Sequence, residues 1–138
     1  MGYSFEKQVF FQSISAGSEI DIYLNELLVP SGDLDGVQFS TNTISGTVYG
    51  FFKNAEFSDL KTAEEYYTNY TSAISPVYEK LTDTISKYDV YTFRTWKGNY
   101  VKFMVKNIYV TYQGSRPDYM DVEIKYFIQR DGTADLKN

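Results

Sequence analysis

The sequence predicts a mainly β fold: a single antiparallel β-sheet or sandwich-like domain over residues 1–138, with one or two short helices around residues 58–86. Short runs of β-branched and aromatic residues recur between clusters of Gly, Ser, Asp and Asn, the punctuation of strands and turns. Aromatic residues supply 18% of the chain, and rings of this kind fill cross-strand pairs on a pleated surface. The last third alternates apolar and polar residues with a period of two, which places one set of side chains on each face of a strand.

Taken in order, residues 9–14 (Val-Phe-Phe-Gln-Ser-Ile) form the first β-like run, closed by Ala16-Gly17-Ser18. Residues 19–29 follow, with Ile20, Ile22 and Leu24 in one phase, Asp21, Tyr23 and Asn25 in the other, and Pro30 as the stop. Residues 31–36 (Ser-Gly-Asp-Leu-Asp-Gly) read as a turn. Residues 37–39 and 47–52 then read as strands, with Gly50 marking a bulge or a close backbone approach. From Ser58 the period changes: Ser58 is placed as a cap before Leu60, Ala63 and Tyr67 at helical spacing. A second helix is predicted from Ser75-Pro76, with Val77, Lys80, Leu81 and Ile85 along one face. Residues 90–96 and 100–106 form a hairpin about Lys97-Gly98-Asn99. In its returning strand Val101, Phe103 and Val105 share the core face, while Lys102, Met104 and Lys106 share a wetter one. After Asn107 the apolar phase slips to Ile108, Val110 and Tyr112, the mark of a bulge or bend. The last strand, residues 119–129, sets Met120, Val122, Ile124, Tyr126 and Ile128 against Asp121, Glu123 and Lys125.

Composition restricts the chemistry. The chain contains no histidine and no cysteine, which removes Ser-His-Asp and Cys-His catalysis, Cys/His zinc sites and imidazole proton shuttles. A net charge of −5 with no basic run disfavours nucleic acid as a partner. No apolar stretch reaches the roughly 18 residues of a membrane span. The opening Met-Gly-Tyr-Ser-Phe-Glu-Lys lacks the pattern of a signal peptide. It is consistent with an intracellular protein or with a mature extracellular domain whose leader has been replaced.

Few groups offer chemistry. Asp33-Leu34-Asp35-Gly36 has the look of a calcium-loop fragment, but the ligands do not continue, and a plain Asp/Gly turn is the expectation. Glu64-Glu65 and Asp121/Glu123 are carboxylate pairs on what should be solvated faces, so no catalytic residue and no metal site is assigned. Aromatic rings are the better lead, since a ring face accepts a sugar or a porphyrin and a phenol orients it. Tyr66, Tyr67 and Tyr70, together with Trp96 at the hairpin tip, are the ligand-binding candidates. Met104 and Met120 are the cofactor-binding candidates, because a thioether can serve as an axial ligand to haem iron. Met120, in phase with Val122 and Ile124, has a plainer reading as core filler, whereas Met104, between Lys102 and Lys106, reads as a second, partly covered face or the wall of a pocket.

Residues 90–103, Val-Tyr-Thr-Phe-Arg-Thr-Trp-Lys-Gly-Asn-Tyr-Val-Lys-Phe, resemble the C-terminal hairpin of HmuY-like proteins, in which a strand ending in Arg-Thr leads through a glycine turn to Tyr-x-Lys. Residues 122–126 resemble that family's closing strand, with further echoes at Asp21-Ile22, at Ser40-Thr41-Asn42 and from Phe57-Ser58-Asp59 to Ala63. The family's tryptophan before Asp-Ile is replaced here by Glu19-Ile20, and the histidine pair of some members has no counterpart. The resemblance implies a β-rich, non-enzymatic lipoprotein of the bacterial surface or periplasm. It also implies haem as the captured cofactor, membrane attachment through a removed lipidated leader, and an outer-membrane transporter as partner. A carbohydrate-binding or adhesion module, and a structural subunit of a surface or phage assembly, are the alternatives.

Overall fold

The computed structural model describes residues 2–5, 9–11, 22–41, 50–72, 78–95, 97–129, 131, 133 and 135–137. In chain order these form β1 (Gly2–Ser4), β2 (Val9–Phe11), β3 (Ile22–Leu28), β4 (Leu34–Ser40), β5 (Gly50–Ala55), α1 (Leu60–Asn69), β6 (Val90–Arg94), β7 (Tyr100–Gln113) and β8 (Arg116–Gln129). The mainly β expectation holds. The strands make two antiparallel sheets, ordered β2-β1-β3-β4 and β5-β6-β7-β8.

Alternation along β6 and β7 decides which face meets which layer. Tyr91, Phe93, Val101, Phe103 and Val105 point toward the first sheet and join Phe5, Ile22, Val37, Phe39 and Phe51 in the main core. The rings interlock, with Phe51–Phe93 centroids 4.7 Å apart and Tyr91–Phe103 centroids 5.1 Å apart. From β8, Met120, Val122, Ile124, Tyr126 and Ile128 pack on this core, the same row that the sequence pattern selects.

The opposite face of the second sheet departs from expectation. Lys102 and Met104 were expected on a wetter face, yet both are 0% exposed because α1 lies over them. Ala63 and Tyr67 from the helix enclose Val90 and Met104. A buried ammonium needs acceptors, and Lys102 finds them at the helix's carbonyl end: Nζ donates to the Tyr67 and Tyr70 carbonyls at 2.8 and 2.9 Å. The same Nζ sits 4.6 Å from the centre of the Tyr67 ring. Burial, reinforced by the neighbouring Lys125 charge, holds the Lys102 pKa below the ordinary lysine value. Lys106, beyond the helix, is exposed as expected.

Three local expectations need correction. The cap of α1 is Asp59, one residue after Ser58: its carboxylate accepts the Thr62 amide at 2.8 Å and the Thr62 hydroxyl at 2.9 Å. These bonds hold the Asp59 carboxyl below its usual range. The turn expected over 31–36 ends earlier, because Leu34-Asp35-Gly36 already belong to β4 and Gly36 pairs with Leu27. The second helix is not formed over 78–86, while Ser75, Pro76 and Val77 lie outside the described residues. Instead this segment is irregular, with isolated bridges at Glu79 and Leu81, and passes between the sheets. Thr82 N–H bonds the Phe39 carbonyl and Ile85 N–H the Val37 carbonyl, while Glu79 and Phe51 exchange both backbone bonds. It thus links the β4 edge of one sheet to the β5 edge of the other. Gly50 is required at this crossing: its φ is +135°, and a Cβ there would collide with the Glu79 carbonyl.

Candidate functional site

The seam between the outermost strand β8 and the first sheet is open. Tyr3 of β1, Ile22 and Leu24 of β3 and Phe39 of β4 form one wall of a cleft of about 630 Å³. Val122, Ile124 and Tyr126, the inward row of β8, form the other, with Tyr109, Asp121 and Glu123 at the rim. The volume and the apolar lining with a few convergent polar groups match the general character of small-molecule sites.

Two phenols supply the interior polarity. The Tyr3 and Tyr126 hydroxyls are 2.6 Å apart, joining the first strand to the last. Burial, then the bond to Tyr126, pushes the Tyr3 pKa above its ordinary value, so the Tyr3 phenol is neutral near pH 7. At the rim the Tyr109 hydroxyl donates to Glu123 Oε1 at 3.1 Å. The cleft therefore presents apolar walls, hydroxyl oxygens inside and carboxylates at its mouth.

The residues nominated from sequence lie elsewhere. Met104 is enclosed beneath α1, while Met120 is half-buried on the opposite face of the second sheet against the main core. Their sulfurs do not converge on a shared position, so a two-methionine clamp on one iron does not fit this arrangement. Tyr67 is buried, whereas Tyr66 and Tyr70 are half-buried with rings nearly parallel at 6.0 Å. The Tyr70 hydroxyl shares a 2.8 Å hydrogen bond with the Thr92 hydroxyl, and Phe57 packs on Tyr66 at 5.3 Å. These tyrosines line the junction of α1 with the second sheet rather than the cleft. Trp96 lies outside the described residues.

Sequence reasoning missed the Tyr3–Tyr126 pair. Tyr126 carried a signal, as a hydroxyl-bearing ring within the apolar row of β8. Tyr3 carried none, because the short β1 shows no alternation. A second cavity of about 470 Å³ lies beside β5 and the 79–83 segment, lined by Lys53, Glu79, Thr82 and Asp83 among others. Near it Asp89 is 1% exposed: Oδ2 accepts the Ser86 amide at 2.8 Å and lies 3.5 Å from Lys53 Nζ, while Oδ1 has no hydrogen-bond partner. Burial raises the Asp89 pKa above the usual carboxylate value. The carboxylate of the suspected calcium turn is engaged otherwise, with Asp33 Oδ1 2.8 Å from Arg116 Nε. Among the described residues there is no group of three or more acidic side chains suited to holding a metal ion. Nor is any helix there long and apolar enough to cross a membrane.

No family model matches the sequence, and no curated protein or solved structure shows significant similarity to it.

Proposed function

We propose that this chain is a non-enzymatic ligand-capture domain whose site is the cleft between β8 and the first sheet. The observation that carries the reading is the cleft itself: about 630 Å³, walled by Ile22, Leu24, Phe39, Val122 and Ile124, and holding two hydroxyls 2.6 Å apart. Such a site favours a flat or compact apolar ligand oriented by one polar group. The lack of histidine and cysteine supports binding over catalysis. Haem or a related porphyrin is the first candidate, in line with the HmuY-like hairpin, and with it a place at the bacterial surface or in the periplasm. The donors facing the cleft suit that candidate through oxygen, since a tyrosine can serve as an axial haem ligand.

The test is a spectrophotometric titration with ferric and ferrous haem, and with metal-free protoporphyrin, on the wild type and on Val122→Arg, Tyr126→Phe and Met104→Ala. A Soret shift is expected that Val122→Arg abolishes and Met104→Ala leaves unchanged. Tyr126→Phe should weaken ferric haem by about tenfold, the effect of losing roughly 1.4 kcal/mol, and alter its spectrum. Flat titrations with all three porphyrins would remove them as ligands, and binding indifferent to Val122→Arg would remove the cleft.

A further inference from the structure

β8 ends its sheet, and among the described residues no strand pairs with its outer edge. A long exposed edge is a template for another chain, and natural proteins blunt such edges with proline, bulges or inward charges. On β8 such devices are Pro117, the irregularity at Asp118 and the edge charges Asp121, Glu123 and Lys125. Pro117 stands at its start, and residues 118–129 contain neither proline nor glycine. The ladder with β7 has two irregularities: Lys106 is the extra residue on β7, and Asp118 is the extra residue on β8. From Tyr119 to Gln129 the strand therefore runs without interruption.

The charges along this edge are self-complementary in one register. When a strand pairs with its own copy about a twofold axis, residues equally distant from the centre face each other. Centring on Glu123 or on Lys125 sets a charge against itself, and centring on Val122 sets Asp121 against Glu123. Centring on Ile124 sets Glu123 opposite Lys125 twice, once on each side of the axis. On the inward face it continues the apolar row, with Ile124 against Ile124 and Val122 against Tyr126. Neither Glu123 nor Lys125 has an ion-pair partner among the described residues; Glu123 Oε1 accepts the Tyr109 hydroxyl at 3.1 Å and Lys125 Nζ lies 5.2 Å from the centre of the Tyr67 ring, so the pairing would give each its opposite charge.

We propose that two copies of this chain pair antiparallel through β8, centred on Ile124, joining their second sheets into one continuous sheet. Because Val122, Ile124 and Tyr126 line the cleft, the pairing sets the two clefts mouth to mouth across the axis. The partner is thus a second copy, recognised by backbone hydrogen bonds and by the Glu123–Lys125 pairs.

Sedimentation equilibrium on the ligand-free protein tests this directly, and independently of the cleft's ligand. The expected mass is twice 15.9 kDa. Glu123→Lys should return it to that of one chain, and Glu123→Lys combined with Lys125→Glu should restore the pair. Since the protein has no cysteine, Ile124→Cys should give a disulfide-linked dimer on oxidation. Asp121→Cys should not, because in this register the two introduced thiols stand about 20 Å apart at ~3.4 Å per residue. A wild type sedimenting as one chain overturns the proposal. So does a dimer that survives Glu123→Lys, or equal cross-linking by the two cysteine variants.

Discussion

The two halves of the long β7–β8 hairpin are built from the same kind of alternating sequence and meet different fates. In the half nearest β6, residues 100–105 are all buried, Tyr100 the most exposed of them at 9%, because the first sheet covers one face and α1, with the chain around it, covers the other. Beyond the extra residue Lys106, the outward face is open: Tyr109 and Tyr119 are 51% and 44% exposed. There the inward row is only half-buried, and the cleft reaches into it at Val122 from its walls at Ile124 and Tyr126. Alternation tells which residues share a face. What lies over that face is decided by neighbouring elements, and those elements stop where the bulge begins.

Three substitutions would break or sharpen this contrast. Phe103→Ala removes a ring packed against Phe5, Phe39, Phe51 and Tyr91 in the buried half, and should cost about 3–5 kcal/mol in urea unfolding. A loss below about 1 kcal/mol would mean that the two sheets are not tightly packed there. Lys102→Met keeps the stem but removes both bonds to the α1 carbonyls, and should cost about 2–3 kcal/mol, with a loss of helical ellipticity. An unchanged unfolding midpoint would show that the helix holds its place without the lysine. Tyr109→Ala in the open half should change stability by no more than about 0.5 kcal/mol. A larger loss there would indicate a covered face and erase the distinction between the halves.

Much of the frame was legible in the sequence. The phase of Val101, Phe103 and Val105, the apolar row of β8, the slip near residue 107 and the close approach at Gly50 all come from local pattern, and local pattern is what a strand obeys. The errors share a cause. Lys102 reads as a solvent-facing lysine because the α1 carbonyls that receive it lie more than 30 residues away in sequence. Residues 78–85 read as a helix because their apolar spacing is ambiguous, and their pairing with Phe39 and Phe51 is tertiary. The cleft was illegible for the same reason: its walls come from β1, β3, β4 and β8, and no stretch of chain records how wide the gap between them is left.

The hydroxyl contact between Tyr3 and Tyr126 spans 123 positions of chain. Apart from Tyr3, Phe5 takes its ring neighbours from Phe93, Phe103 and Tyr126, all of them in the last third. On a ribosome adding about 5–20 residues per second, the opening strand therefore waits several seconds before its native surroundings exist. Completion of this core therefore follows synthesis of residue 126.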